Sequence, residues 1–161
     1  MEDKQFFESI YQLSSGEKAA LKRNCGSMLE QADGNAILAF YKCLPYGVPK
    51  KQEPYWFAAA CIASLFKEPG NKPIEQVFSE LKNESNSIEM RIAGLIDMNW
   101  DEDGYFLQKL TRLIKMSVQK GYTVDCSKLL GDLIYWNNDT RSVQKKWARA
   151  LYIKKNVEGE E

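Results

Sequence analysis

The sequence predicts an all-α fold, a bundle of about eight helices. Apolar residues recur at three- and four-residue spacing, and runs of alternating β-branched residues are missing. Capping and stopping residues also punctuate the chain between the periodic segments. With 44% hydrophobic and 27% charged residues, the 161 residues suffice for one ordinary globular domain.

An opening helix is expected over Lys4 to Gln12, stopped by Ser14-Ser15-Gly16. Ser14 with Glu17 three residues on has the form of a capping box, and starts a second helix through Lys22-Arg23 that ends near Gly26. Asp33 can cap a third, Asn35 to Cys43, with Ile37, Phe40 and Tyr41 on its apolar side. Pro45, Gly47, Pro49 and Pro54 mark the longest irregular connection, and Pro54 suits the first turn of the helix running to Phe66. Glu68-Pro69-Gly70-Asn71-Lys72-Pro73 is the next break. The chain reads as a single domain, 1–161, and this break is the candidate boundary between lobes 1–68 and 74–156.

Helices follow at Ile74 to Leu81 and Ser87 to Met98. Asp101-Glu102-Asp103 favours the start of the next, because helical peptide dipoles present positive charge there. That helix should reach Lys120, with Gly121 as its stop. Asp125 is expected to cap Ser127 to Trp136, and Asp139 a last helix to about Lys155, leaving Val157 to Glu161 as a frayed tail. Trp56, Trp136 and Trp147 stand at helical spacing with Leu and Ile, so core packing is favoured over base stacking; Trp100 is also expected to be packed.

Histidine is absent, which excludes a Ser-His-Asp triad, a Cys-His dyad, a His-liganded zinc and a His pH switch. Cys25, Cys43, Cys61 and Cys126 form no C-x-x-C pair and read as reduced thiols. The acidic Met1-Glu2-Asp3 start has no apolar core after it, and the near-apolar run Tyr55 to Phe66 is too short to span a bilayer. A cytoplasmic protein without a membrane partner is the simplest expectation. Asp101-Glu102-Asp103 lacks the ligand spacing of an EF-hand loop, and no Walker A loop occurs. No catalytic residue, metal site or cofactor is expected, although scattered carboxylates leave a metal-dependent nuclease as the weakest alternative.

Lys+Arg 22 balances Asp+Glu 22, which taken as a sum argues against a polyanion partner. The distribution argues the reverse. Residues 54–104 hold 4 basic and 9 acidic side chains, whereas 105–155 hold 11 and 3. Zero net charge thus conceals a −5 middle and a +8 C-terminal segment. Each helical residue advances about 100°. Lys109, Arg112 and Lys115 therefore step along one flank, away from the Phe106, Leu110, Leu113, Ile114 side. In the last helix Arg141, Lys145 and Arg149 step along the side opposite Val143, Trp147 and Leu151, with Tyr152 beside them. Such stripes commonly do no more than solvate an outer face. Two in one basic segment point to a surface that tracks phosphates.

The C-terminal half also carries a recognisable pattern. Leu107-Gln108-Lys109-Leu110-Thr111-Arg112-Leu113-Ile114-Lys115 precedes Gly121-Tyr122-Thr123-Val124-Asp125. Leu129-Leu130-Gly131-Asp132-Leu133-Ile134-Tyr135-Trp136 and Val143-Gln144-Lys145-Lys146-Trp147-Ala148-Arg149-Ala150-Leu151-Tyr152 follow. In this order and spacing the segments resemble the CasB family, the small subunit of the type I-E CRISPR surveillance complex, Cascade. Upstream, Ala20-Leu21-Lys22-Arg23 resembles the family's basic N-terminal segment. Lysine stands at Lys22, Lys145 and Lys146 where the family often has arginine, which keeps charge but loses the bidentate guanidinium fork.

The resemblance implies a non-catalytic, all-helical subunit, present as two copies. Its partners would be other Cascade subunits, CRISPR RNA and target DNA, with no small-molecule substrate. Together with the charge map it nominates Lys22, Arg23, Lys109, Arg112, Lys115, Arg141, Lys145, Lys146 and Arg149 as nucleic-acid contacts. The alternative is a scaffold whose basic faces dock on acidic protein surfaces.

Overall fold

The computed structural model describes residues 2–153. Among these residues the chain forms nine α-helices and no strand: α1 (Glu2–Tyr11), α2 (Ser15–Arg23), α3 (Gly34–Cys43), α4 (Glu53–Ala63), α5 (Ile74–Leu81), α6 (Asn86–Ile96), α7 (Tyr105–Gln119), α8 (Cys126–Ile134) and α9 (Ser142–Tyr152). None of them is long and apolar enough to cross a membrane.

The centre is α4. Every residue from Trp56 to Ala63 is buried, so this helix has no polar face and must be surrounded. It is packed by α1, α2, α7 and α8. A second group forms where α9 lies against α5 and α6, and α6 also touches α7. Buried apolar side chains from Phe6 to Leu151 make one continuous cluster, and within it Phe78, Trp147, Trp136 and Phe106 stack edge to face or tilted. Trp56, Trp136 and Trp147 are core residues as expected, and half-buried Trp100 packs on Tyr55 and Phe106. All four cysteines are free thiols. Burial pushes Cys25 and Cys43 up to about 11, and raises Cys61 and Cys126 as well, so none is an activated nucleophile.

Most element starts match their capping residues. The Ser14/Glu17 box is closed in both directions, Asp33 holds the Ala36 amide and Asp125 that of Lys128. Other starts differ. Helix α6 opens at Asn86 rather than Ser87, with Ser85 capping it through the Ile88 amide, because the chain enters that helix from a 3-10 turn, Lys82–Glu84. Of the Asp101-Glu102-Asp103 group only Asp101 caps, reaching forward to the amides of Tyr105 and Phe106, so α7 begins later than the acidic run. Asp139 caps nothing. Asn138 Oδ1 instead accepts from the Thr140 amide and hydroxyl, and Arg141 turns into the left-handed region (φ 52°), so that α9 starts only at Ser142. The expected extension to Lys155 and the frayed tail Val157 to Glu161 fall outside the described residues.

Candidate nucleic-acid interface

The basic residues of α7 and α9 are set out around α6. Helix α9 runs antiparallel beside it: Arg141 donates to the Ile96 carbonyl at one end, and Tyr152 donates to Glu89 at the other (2.9 Å). On the opposite side α7 meets α6 across a groove of about 490 Å³. Arg91, Lys109 and Arg112 are exposed residues of its lining, with Met90, Met98, Leu113 and Met116 as its apolar part. Lys115 continues the α7 stripe one turn on and is exposed. The turn after α2 packs on α7, with Gly26 lying against Thr111 and Cys25 within electrostatic reach of Lys115. Lys22 and Arg23, at the end of α2, are exposed.

Among the described residues no ion pair engages Lys109, Arg112, Lys115, Lys145 or Arg149. A lysine or arginine that is exposed and unpaired has its charge available to an external anion. Arg91 belongs with this set although nothing in the sequence marks it. It stands in the acidic middle segment, and only the packing of α6 on α7 puts it beside Lys109 and Arg112.

Two nominated residues have other work. Arg141 is half-buried, and its guanidinium donates to Asn99 Oδ1 (3.3 Å) and the Ile96 carbonyl (3.0 Å). It ties the left-handed entry of α9 to the end of α6. Lys146 pairs with Asp132 on α8 at 2.5 Å. Helical spacing shows no carboxylate within reach on α9 itself, but Asp132 approaches from a different helix. The same carboxylate accepts from the Trp147 indole (2.9 Å), while Gln144 donates to the Trp136 carbonyl (2.6 Å) and the Trp136 indole to the Met98 carbonyl (2.8 Å). The Leu129–Trp136 and Val143–Arg149 stretches of the sequence pattern therefore bind one another.

No group of three His, Cys, Asp or Glu side chains converges to hold a metal among the described residues. Asp101 is desolvated, yet the amides of Phe106 and Tyr105 hold its carboxyl below the usual range, which is the signature of a helix cap.

A family model for the CRISPR-associated protein Cse2 matches residues 17–152, most of the chain. The chain belongs to the Cse2 family. A CRISPR-associated Cse2 protein of Thermus thermophilus is 25% identical over 126 residues, 71% of this chain and 70% of the relative. The fold agrees. A crystal structure of a Cse2-family protein from Thermus thermophilus superposes with a TM-score of 0.78, at 21% identity, covering 93% of this chain and 97% of the other. CasB from M. ruber gives 0.73 at 21% identity, over 94% and 93%. A chain of a CRISPR RNA-guided surveillance complex gives 0.73 at 20% identity, over 93% and 91%. In this chain the Asp132–Trp147 contact joins α8 to α9.

Proposed function

We propose that this protein is the small, non-catalytic subunit of a type I-E Cascade complex, and that it holds nucleic acid by its backbone. The observation that carries the reading is the placing of Arg91, Lys109 and Arg112 around one groove, with exposed Lys115 one turn further along α7; exposed Lys22 and Arg23 at the end of α2 join the set by their charge. Lys145 and Arg149 supply a second line across α6. Family membership and the likeness to a surveillance-complex chain support the same reading.

In this role the cations neutralise phosphates of the guide RNA–target duplex and the displaced strand, stabilising the R-loop for antiviral defence. In RNA-guided recognition base pairing reads the sequence while protein holds the backbone, so base-reading side chains are not needed here. Half-buried Arg141 is engaged with the end of α6 and exposed Lys146 is paired with Asp132, so both are left out of the phosphate set. The subunit works in the cytoplasm as one of two copies, touching other Cascade subunits and using no cofactor.

The test is DNA binding by the assembled complex across a salt series. Replacing Lys109, Arg112 and Lys115, or Lys145 and Arg149, by Ala should flatten the log–log salt dependence by about 0.7–0.9 for each phosphate no longer neutralised. An unchanged slope would sink the phosphate assignment. The apolar lining of the groove, including Met90 at 73% exposure, favours a second reading, a scaffold that docks on protein. Crosslinks from Arg112 or Lys145 to protein alone would select it. Cleavage of single-stranded DNA or RNA in Mg²⁺ or Mn²⁺ would overturn the non-catalytic assignment.

A further inference from the structure

A second cleft has the opposite chemistry. Its volume is about 440 Å³, and Met28, Tyr55, Trp100, Glu30, Glu102 and Asn137 contribute to its lining. Tyr55 and Trp100 stand with ring centroids 4.7 Å apart at 57°, both half-buried, so each keeps part of its ring open to the cleft. Asn137 fixes the tryptophan from both sides, accepting from its amide (2.8 Å) and donating to its carbonyl (3.1 Å). Asp101, the next residue, is held by the start of α7. Tyr55 thus stands on α4, and these bonds hold the loop between α6 and α7 that carries Trp100.

Glu30 and Glu102 are exposed on the lining, and among the described residues neither has an ion-pair partner. Glu102 belongs to the 54–104 segment, whose net charge is −5, and Glu30 comes from the first 3-10 turn, Leu29–Gln31. Two uncompensated carboxylates beside two ring systems attract a cation, because the ring quadrupole and the carboxylates act in the same sense. Of the biological cations, a guanidinium suits such a lining best. It is planar, weakly hydrated, stacks on aromatic faces and can still donate in its plane to a carboxylate.

We propose that this cleft receives an arginine side chain presented by a partner protein. The site is independent of the basic groove and stands whether or not the cations around α6 bind nucleic acid.

The test follows the four tryptophan indole resonances of the full-length, ¹⁵N-labelled protein during titration with N-acetyl-arginine methylamide. The uncharged isostere N-acetyl-citrulline methylamide serves as the control. Trp100 should shift saturably in the millimolar range with the arginine compound only, while buried Trp136 and Trp147 stay in place. The double variant Glu30→Gln/Glu102→Gln replaces two exposed side chains and should weaken the arginine affinity by about fivefold or more. An equal response to citrulline, or an unaltered affinity in the double variant, would refute the proposal. Sedimentation velocity supplies a further arm. A concentration-dependent dimer abolished by the same double variant would give the cleft to a second copy of this chain and overturn the assignment to a different partner.

Discussion

Replacing Asp132 by Ala should cost stability out of proportion to the size of the side chain. Its carboxylate is 7% exposed and accepts two donors, the Trp147 indole at 2.9 Å and Lys146 Nζ. A hydrogen bond to a charged group contributes about 1.5–3 kcal/mol, and an indole N–H left buried without a partner costs about 1–3 kcal/mol. Trp147 is fully buried, so no water replaces the missing acceptor at its present position. The expected loss is about 3 kcal/mol, which lowers the melting temperature of a domain this size by about 6–12 °C. Lys146→Ala should cost below about 1 kcal/mol, since its side chain is 49% exposed and solvent screens the pair. Thermal denaturation followed by far-UV circular dichroism at pH 7 measures both. Trp147→Phe completes a cycle with Asp132→Ala, and a coupling of about 0.5–3 kcal/mol is expected between groups in direct contact. A fall of under about 2 °C for Asp132→Ala, or equal losses for Asp132→Ala and Lys146→Ala, would show that the indole bond is not what holds α8 to α9.

Gly70→Ala should destabilise by about 1–3 kcal/mol, because a Cβ there would lie 2.7 Å from the Val124 amide and 2.8 Å from its carbonyl, backbone atoms that cannot rotate aside; urea unfolding checks this. Acid should weaken the α2–α3 contact. The bond from Lys42 and the cap from Ser14 hold Glu17 down to about 2 from an ordinary 4.5, so its stabilisation is complete above about pH 4.5 and is lost as pH falls through about 2. Melting curves of Glu17→Gln and the unaltered protein should therefore differ at about pH 5 and converge near pH 2. Arg91→Ala should reduce the salt slope of DNA binding by about 0.7–0.9, as each α7 cation does. Lys146→Ala, by contrast, should leave that slope unchanged in the same filter-binding series.

The helical class and the places where most helices begin are legible along the chain. Capping boxes and periodicity are local properties, decided within one or two turns by backbone hydrogen bonding, so Ser14, Asp33 and Asp125 can be read directly. The burial of α4 is legible too, since a segment with no polar face has nowhere to go but the interior. The faces of α7 and α9 follow for the same reason: about 100° per residue fixes which side chains share a side.

Which charges are available is a property of the packed chain. Lys146 looks free along the sequence because Asp132 lies 14 residues away on another helix, and Arg141 does because its acceptors are at the end of α6. Arg91 is hidden by the reverse effect, a cation averaged into an acidic segment and then carried to the basic groove by the packing of α6 on α7. The cap failure at Asp139 and the displaced start at Ser87 have a similar origin, as a turn held by Asn138 and an entry through a 3-10 turn shift the helix starts. Charge acts through space over several ångströms, while sequence spacing reports geometry only within one element. The helices can therefore be read along the chain, and the surface they present cannot.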